Sequence, residues 1–397
     1  ATTNQQEEGA KSTKDDPSWT PWIDPKDPNV VRLNKDDSSA EAWRKRRDTS
    51  KDPKRESGLI DLQRYQMGFH WQAFPTFFRA PVALNPEDLK AGNVEVAVVG
   101  STTDNNPVKG TSWAANHMRS FLDQYMWNAR GAAPMEPVMS GGMDQYTRTY
   151  LTEVNIADYG NINANILSTD KSVEETRKVL GEILSAGAIP MLVGGSHDNQ
   201  YGLYLAAADK VGAKNFAIVH FDSHMDAVSI GFGFYNHNGN GIYWVVENGV
   251  VNGSDIVQVG MTSVFPDDEQ MKWSQANGIR YHYQPEIEKD GWEAVMKRVL
   301  EDVKGKPLVV SIDIDIMSMA YVPGTGGREP DGPTAPEMMK MVRALAIQNA
   351  IIAFDIAEFN PVLDDPSQTT AITVDRLMRA FIAGLADKKR GVTDPFY

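Results

Sequence analysis

Short apolar runs alternate with amphipathic segments along most of the chain from about residue 94 onward. The amphipathic segments repeat their apolar positions with a helical period, as in "GWEAVMKRVLEDVKG" and "APEMMKMVRALAIQ". The apolar runs are continuous and rich in β-branched residues, which is typical of strands buried on both faces: "VEVAVVG", "IPMLVGG", "FAIVHFD", "DIVQVGM", "PLVVSIDID" and "AIIAFDIA". The alternation predicts an α/β fold with a parallel sheet that helices cover on both sides.

The first 90 residues lack this pattern. Residues 1 to about 58 are polar and rich in Lys, Asp, Pro and Ser, yet they contain Trp19, Trp22 and Trp43. Tryptophans in a polar arm need a surface to cover. We therefore expect residues 1–90 to form an extension that wraps the body or a neighbouring subunit, and residues 91–397 to form the main domain.

Composition excludes several classes of partner and of site. The chain of 397 residues has a formal net charge of -14, which argues against nucleic acid and is compatible with a small cationic substrate. It contains no cysteine, so disulfides and thiolate metal sites are excluded and a metal must bind nitrogen and oxygen ligands. No apolar stretch is long enough to span a membrane, and no signal peptide is visible. We expect a cytoplasmic protein with no membrane partner.

Polar side chains follow four of the predicted strands. Parallel strands carry their ligand sites at their carboxyl ends, so these side chains should meet at one edge of the sheet. Asp222, His224 and Asp226 alternate after "FAIVHF", which places them on one face of an extended segment. The other strands end at Ser196-His197-Asp198, at Asp313 and Asp315, and at Glu358.

So many buried acids and imidazoles repel one another unless a cation neutralises them. A lone aspartate at a strand end is most often a helix cap or a loop acid, but the alternating set on several strands is hard to explain in that way. Carboxylates with imidazoles suit Mn, Ni, Co, Fe or Zn, and the number of ligands favours two ions that share bridging carboxylates.

Four motifs, taken together and in order, resemble the ureohydrolase superfamily, which includes arginase and agmatinase. They are "GGSHDN", "HFDSHMDA", "SIDIDIMSMAYVPGTGG" and "DIAEFNP", and the resemblance extends over roughly residues 94 to 388. It implies a three-layer α/β/α fold with a mainly parallel eight-stranded sheet, a catalytic domain over residues 91–397, two metal ions and a homo-oligomer, either a trimer or a hexamer.

The resemblance also implies roles for individual residues. One metal would be bound by His197, Asp222, Asp226 and Asp313. The other would be bound by Asp222, His224, Asp313 and Asp315. Glu358 matches the glutamate that pairs with a guanidinium group, His237 matches a histidine that moves protons or holds substrate, and His220 matches a position behind the ligands.

This set of residues indicates hydrolysis of a guanidinium C–N bond. Two divalent ions lower the pKa of a water molecule held between them, so that hydroxide forms near neutral pH. Glu358 would hold the planar cation by paired N–H bonds. Asp226 would take a proton and pass it to the leaving nitrogen.

The substrate follows from departures from the better-known members. Ser318-Met319 and Asp198 replace the usual residues beside the ligands, and the loop "AVSIGFGFYNHNGNGIYWVV" is aromatic and has no Arg or Lys. These aromatic residues either pack the loop down or close a small pocket. Thr102 and Thr103 match positions that face the substrate in members of the family. Their hydroxyls can accept hydrogen bonds from guanidinium N–H groups or cap a helix.

A small pocket without room for a charged tail best fits free guanidine. The residues that depart from the common motifs also resemble those of the nickel-dependent guanidine hydrolase branch of the superfamily. Metformin or another biguanide, agmatine and guanidinobutyrate are the alternative substrates. A non-catalytic subunit of a mixed oligomer is the alternative function. Ni²⁺ is favoured on raw affinity and Mn²⁺ is the alternative.

Overall fold

The computed structural model describes the chain at the following residues: 52, 54–62, 74–120, 143–165, 167–230, 233–264 and 267–396. Trp19, Trp22 and Trp43 lie outside them, so the predicted role of the N-terminal arm stays a prediction. Within the described part, Phe77, Phe78 and Leu89 are fully buried against the main domain. Phe77 and Phe78 therefore pack into the core of the body.

A single sheet organises the described residues. Its eight strands are β1 (Val96–Gly100), β2 (Ile156–Asn161), β3 (Ile189–Val193), β4 (Ala217–Phe221), β5 (Ile256–Met261), β6 (Arg280–Tyr283), β7 (Leu308–Asp313) and β8 (Ile351–Ala357). They pair in the order β2-β1-β3-β8-β7-β4-β5-β6, and every pairing is parallel. The predicted parallel sheet of eight strands is confirmed.

Helices cover both faces of this sheet. Those described are α1 (Pro86–Ala91), α2 (Ala114–Ser120), α3 (Thr169–Ser185), α4 (Asn199–Val211), α5 (Gly241–Glu247), α6 (Asp268–Ala276), α7 (Gln284–Asp290), α8 (Trp292–Asp302), α9 (Ala335–Gln348) and α10 (Thr369–Lys389). Alternate residues of one strand join opposite cores: Val96 and Val98 pack into one apolar cluster, whereas Ala97 and Val99 pack into the other. Burial on both faces explains why the strands read as continuous apolar runs.

The order of the strands determines where the acidic and imidazole side chains meet. The four strands that end in acids or imidazoles, β3, β8, β7 and β4, are direct neighbours at the centre of the sheet. Their carboxyl ends therefore lie side by side, and the side chains that follow them meet above the middle of the sheet.

Candidate metal centre

A double-glycine turn after β3 brings His197 over the sheet. Gly194 and Gly195 have φ values of 82° and 76°, which L-residues rarely adopt. A Cβ at position 195 would lie 2.3 Å from Ser101 Oγ, so the turn also needs glycine for space. His197 is buried, with Nε2 2.9 Å from Ser311 Oγ on β7. This contact directs the other ring nitrogen, Nδ1, toward the carboxylates.

The first group of ligand-type atoms surrounds His197 Nδ1. Asp226 Oδ2 lies at 3.0 Å, Asp222 Oδ2 at 3.2 Å and Asp313 Oδ2 at 3.5 Å from it. The other oxygen of Asp313 accepts a hydrogen bond from the backbone N–H of Asp315 at 2.9 Å. The structure thus brings together the four residues that the resemblance assigns to one ion.

The second group adjoins the first through Asp222. His224 Nδ1 lies 3.2 Å from Asp222 Oδ1 and 3.1 Å from Asp315 Oδ2. The ligand-type atoms of Asp222, His224 and Asp315 lie within 4.8 Å of one another. Asp222 therefore offers one oxygen to each group, as a bridging carboxylate would.

His220 lies closer to the cluster than the sequence suggested. Its Nε2 is 3.3 Å from Asp222 Oδ2 and 3.8 Å from Asp226 Oδ2. Its ring stacks on that of His197 with centroids 5.2 Å apart, and its Nδ1 faces Gln258 Nε2 at 3.3 Å. The described geometry makes His220 a further candidate ligand of the first group.

Without a cation, the cluster carries more negative charge than a buried site accepts. Burial raises the pKa of Asp313, and the carboxylates of Asp315 and Asp222 raise it further. Burial alone would lower the pKa of His197, but the carboxylates of Asp222, Asp226 and Asp313 beside its ring hold that pKa well above its usual value. Divalent ions bound here would supply the positive charge that the carboxylates require.

Three buried polar atoms also point into the first group without hydrogen bonds. They are His197 Nδ1, His220 Nε2 and Asp222 Oδ2. A buried polar atom without a partner is costly, and a cation placed among the three would satisfy all of them at once. The donor set of imidazole nitrogens and carboxylate oxygens fits divalent transition metals.

Asp226 and Glu358 share a backbone conformation that residues other than glycine seldom adopt. Their φ values are 50° and 66°, in the left-handed region that non-glycine residues seldom occupy. Gln200 Nε2 donates to Asp226 Oδ2 at 2.6 Å and fixes its carboxylate. Hydrogen bonds such as these maintain the strained backbone, and both side chains are buried at the cluster.

Glu358 forms the wall next to the first group. Its Oε1 accepts from the backbone N–H of His197 at 2.7 Å, and its Oε2 accepts from Asn106 Nδ2. Asn238 Nδ2 in turn donates to Asn106 Oδ1 at 2.7 Å. Burial raises the pKa of Glu358 to about 8, although its hydrogen bond from His197 opposes this shift. A cation held against this carboxylate would favour its ionised form.

His237 lies on the loop that also carries Asn238. It is buried, and its Nδ1 accepts from the backbone N–H of Gly239 at 3.0 Å. A Cβ on Gly239 would lie 3.1 Å from His237 Cε1 and 3.8 Å from Asp226 Oδ1. The loop thus places His237 near Asp226 of the first group.

Thr102 and Thr103 are placed differently from the other predicted residues. Thr102 Oγ1 donates to Ile162 O at 3.1 Å, and Thr103 Oγ1 donates to Ser196 O at 3.2 Å. Both line a separate cavity of about 310 Å³ that also includes Asn165. Their hydroxyl protons are used by backbone carbonyls, and their contact with substrate stays a prediction.

Asp198, noted in the sequence as a departure, anchors the loop that carries Asn106. Its Oδ1 accepts from Ser196 Oγ at 2.6 Å, and its Oδ2 accepts from Asn105 Nδ2. Burial raises the pKa of its carboxyl. The sequence alone did not indicate Asn106, Gln200 and Asn238, because a single amide in a loop (Asn106, Asn238) or in the first turn of a helix (Gln200) carries no pattern.

The aromatic loop after the second motif divides between packing and lining a cavity. Tyr235 stacks on Trp244 with centroids 3.8 Å apart, and Tyr243 contacts Trp244 edge-on at 4.9 Å. Phe234 is 56% exposed and lines a cavity of about 630 Å³ together with Asn106 and His237. Phe232 lies outside the described residues. Tyr235, Tyr243 and Trp244 thus pack against one another, whereas closure of a small pocket by the loop stays a prediction.

A glycine presses directly against the second group, and it yields a first prediction. A Cβ on Gly327 would lie 2.3 Å from Asp315 Oδ2 and 3.0 Å from His224 Cε1, whereas a Cβ on Gly326 would meet nothing within 4 Å. We expect Gly327→Ala to displace both ligands and to lower affinity for one ion about 10- to 100-fold. Metal analysis after dialysis against graded chelator measures this loss, with Gly326→Ala as the matched control. Equal retention of metal by the two variants would show that the second group does not hold an ion.

Comparison with known proteins shows the family of the chain. A model of the arginase family matches residues 94–384. The chain belongs to the arginase family. This confirms the resemblance to the ureohydrolases that the four motifs indicate.

Proteins that are named for different activities are similar to the chain over most of its length. The mitochondrial guanidino acid hydrolase of Homo sapiens is 25% identical over 310 residues, which are 78% of this chain and 82% of that protein. The solved proclavaminate amidino hydrolase of Streptomyces clavuligerus superposes with a TM-score of 0.68 at 22% identity, covering 81% of this chain and all 100% of that one. A formiminoglutamase of Trypanosoma cruzi, solved with Mn²⁺, gives a TM-score of 0.64 at 18% identity over 74% of this chain and 94% of that one. At these identities the solved structures establish the shared fold.

No helix among the described residues has both the length and the apolar character needed to cross a membrane.

Proposed function

We propose that this protein is a binuclear-metal hydrolase that cleaves a C–N bond of a guanidinium group, with free guanidine as its substrate. The observation that carries the proposal is the position of Glu358, a buried acid beside two adjoining groups of metal-ligand type. A carboxylate that faces a cation-binding cluster is suited to hold a second, planar cation against it. Membership of the arginase family supports this chemistry.

The residues that would hold the two ions are those that the structure brings together. One group consists of His197, Asp222, Asp226 and Asp313, with His220 as a further candidate. The other consists of Asp222, His224 and Asp315. We propose that Asp313 also binds the second ion, as the resemblance implies. When bound, the ions supply hydroxide from water near neutral pH and offset the buried negative charge. We favour Ni²⁺ over Mn²⁺, because imidazole-containing sites bind nickel more tightly.

The chain's own side chains would position and move the remaining atoms. Glu358 accepts N–H bonds from guanidinium and fixes its carbon toward the cluster. After the C–O bond forms, Asp226 takes the proton that remains on the added oxygen and passes it to the departing nitrogen. His237 exchanges protons with solvent from the loop beside Asp226. Cleavage of the C–N bond releases one urea and one ammonium for each guanidinium and water consumed.

The enclosure of the site supports a small substrate. Exposure is only 5% for Glu358, 7% for Asn106 and 7% for His237. A carboxylate enclosed in this way suits guanidinium itself better than a substrate with a long or charged tail. Metformin, agmatine and guanidinobutyrate remain the alternative substrates, and the cavity of about 630 Å³ beyond Asn106 is where their tails would have to lie.

A substrate panel tests the proposal. The purified chain, loaded with Ni²⁺ or Mn²⁺, is incubated with guanidine, metformin, agmatine, guanidinobutyrate and arginine. We expect urea and ammonia from guanidine with a kcat/KM at least about 10-fold above that of the other compounds, as expected when a pocket rejects extra groups. A preference for a tailed guanidine would replace the proposed substrate. Inactivity of the pure, metal-loaded chain on all of them would instead favour a non-catalytic subunit of a mixed oligomer.

A further inference from the structure

Asn106 borders both the inner wall of the site and the outer cavity. On one side its Nδ2 donates to Glu358 Oε2. On the other side Asn106 lines the cavity of about 630 Å³, together with Phe234 and His237. Asn106 is 7% exposed, so its amide fills the space between the carboxylate and that cavity.

Asn106 is held in this position by a second amide. Asn238 Nδ2 donates to Asn106 Oδ1 at 2.7 Å, and the backbone oxygen of Asn238 lies 3.4 Å from Gln200 Nε2. Gln200 also donates to Asp226 Oδ2 at 2.6 Å. A continuous series of hydrogen bonds therefore runs from Glu358 across the mouth of the site to Asp226.

The outer cavity has the features of a space for a substituent. Its volume of about 630 Å³ is far larger than guanidinium requires, and its wall includes apolar Leu167 and Phe234. Both of these side chains are exposed, at 91% and 56%. An N-substituted guanidine bound to Glu358 would project its substituent in the direction that Asn106 blocks.

We propose that Asn106, fixed by Asn238, is a specificity-determining residue that closes the inner site against N-substituents and restricts the enzyme to unsubstituted guanidine. This inference rests on the proposed function, because it explains how that substrate would be selected. Shortening the side chain at position 106 joins the inner site to the outer cavity and removes one hydrogen bond to Glu358. Free guanidine would then fit the enlarged site less closely, whereas an N-substituted guanidine could place its substituent in the outer cavity.

The test compares kcat/KM for guanidine, N-methylguanidine, agmatine and guanidinobutyrate in the metal-loaded wild type and in Asn106→Ala. We expect the ratio of substituted to free guanidine to rise about 10- to 100-fold in Asn106→Ala, which is the usual range for a change of a few atoms in a pocket. Asn238→Ala releases Asn106 without shortening it, so its ratio should shift in the same direction by a smaller factor. Asn215→Ala is the matched control. Asn215 Nδ2 donates to Val211 O just before β4 begins, at the amino end of the strand, whereas the site lies at the carboxyl ends.

The outcomes separate the two proposals. Wild-type activity on guanidine with an unchanged ratio in Asn106→Ala and Asn238→Ala would overturn this inference and leave the proposed function in place. A wild type that does not hydrolyse guanidine would overturn the proposed substrate. The inference would then be decided by whether the two variants raise kcat/KM for tailed guanidines relative to Asn215→Ala. If Asn106→Ala does not fold, Asn238→Ala alone decides.

Discussion

Asp226→Asn is expected to lower kcat for guanidine about 1,000-fold or more, because the change removes both a metal ligand and the proposed proton carrier. Asp226 Oδ2 lies 3.0 Å from His197 Nδ1 and accepts from Gln200 Nε2 at 2.6 Å. An amide at this position loses the negative charge and can direct an N–H group toward one of those partners. We also expect affinity for one ion to fall about 10- to 100-fold.

The fold should survive this substitution. Asp226 has a φ of 50°, and asparagine tolerates the left-handed region as well as aspartate does. Three measurements check these effects separately. Thermal unfolding monitored by circular dichroism reports on the fold, release of urea in a stopped assay reports on kcat, and metal analysis reports on affinity for the ion. Asp209→Asn is the control, because Asp209 pairs with Arg177 on the surface and its side chain is 51% exposed. Wild-type turnover in Asp226→Asn with two ions bound would refute the role of Asp226.

Glu358→Gln is expected to separate substrate binding from metal binding. The carboxylate is buried and accepts from His197 N at 2.7 Å and from Asn106 Nδ2, but it belongs to neither group of metal-ligand atoms. Loss of a buried, hydrogen-bonded charge costs about 2–5 kcal/mol of binding to its ionic partner. We therefore expect kcat/KM for guanidine to fall about 30- to 3,000-fold while both ions remain bound.

Parallel measurements of kcat, KM and metal content check this prediction. Glu301→Gln is the control, since the side chain of Glu301 is 73% exposed and pairs only loosely with Lys304. Loss of metal together with activity would place Glu358 among the ligands. Unchanged kcat/KM would remove it from substrate binding and, with it, the observation on which the proposed function depends.

The inner strands could be read from the sequence, whereas the edge strands could not. Strands β3, β4, β7 and β8 are buried on both faces and appear as continuous apolar runs. Strand β6, "RYHY", lies at the edge of the sheet and is only partly buried, so it shows no such run. Strand β2 lies at the other edge and becomes exposed toward its end.

The ligands of the candidate site were predictable because they follow buried strands at fixed spacing. Their supporting residues were not, since Asn106 and Asn238 lie in loops and contact the site only through the folded chain. The close approach of Gly327 to Asp315 likewise depends on how the loop after β7 folds back. His220 illustrates a third case: the sequence placed it near the ligands, but only coordinates could show its distance from Asp222.

The central claim is that two divalent cations lie side by side above the middle of the sheet. Crystals of the chain grown with Ni²⁺, with diffraction measured on both sides of the nickel absorption edge, test it directly. We predict two anomalous peaks about 3.5–4 Å apart, with Asp222 between them, His197 and Asp226 at one and His224 and Asp315 at the other. A single peak, no peak, or ions bound away from these residues in a well-ordered crystal would contradict it.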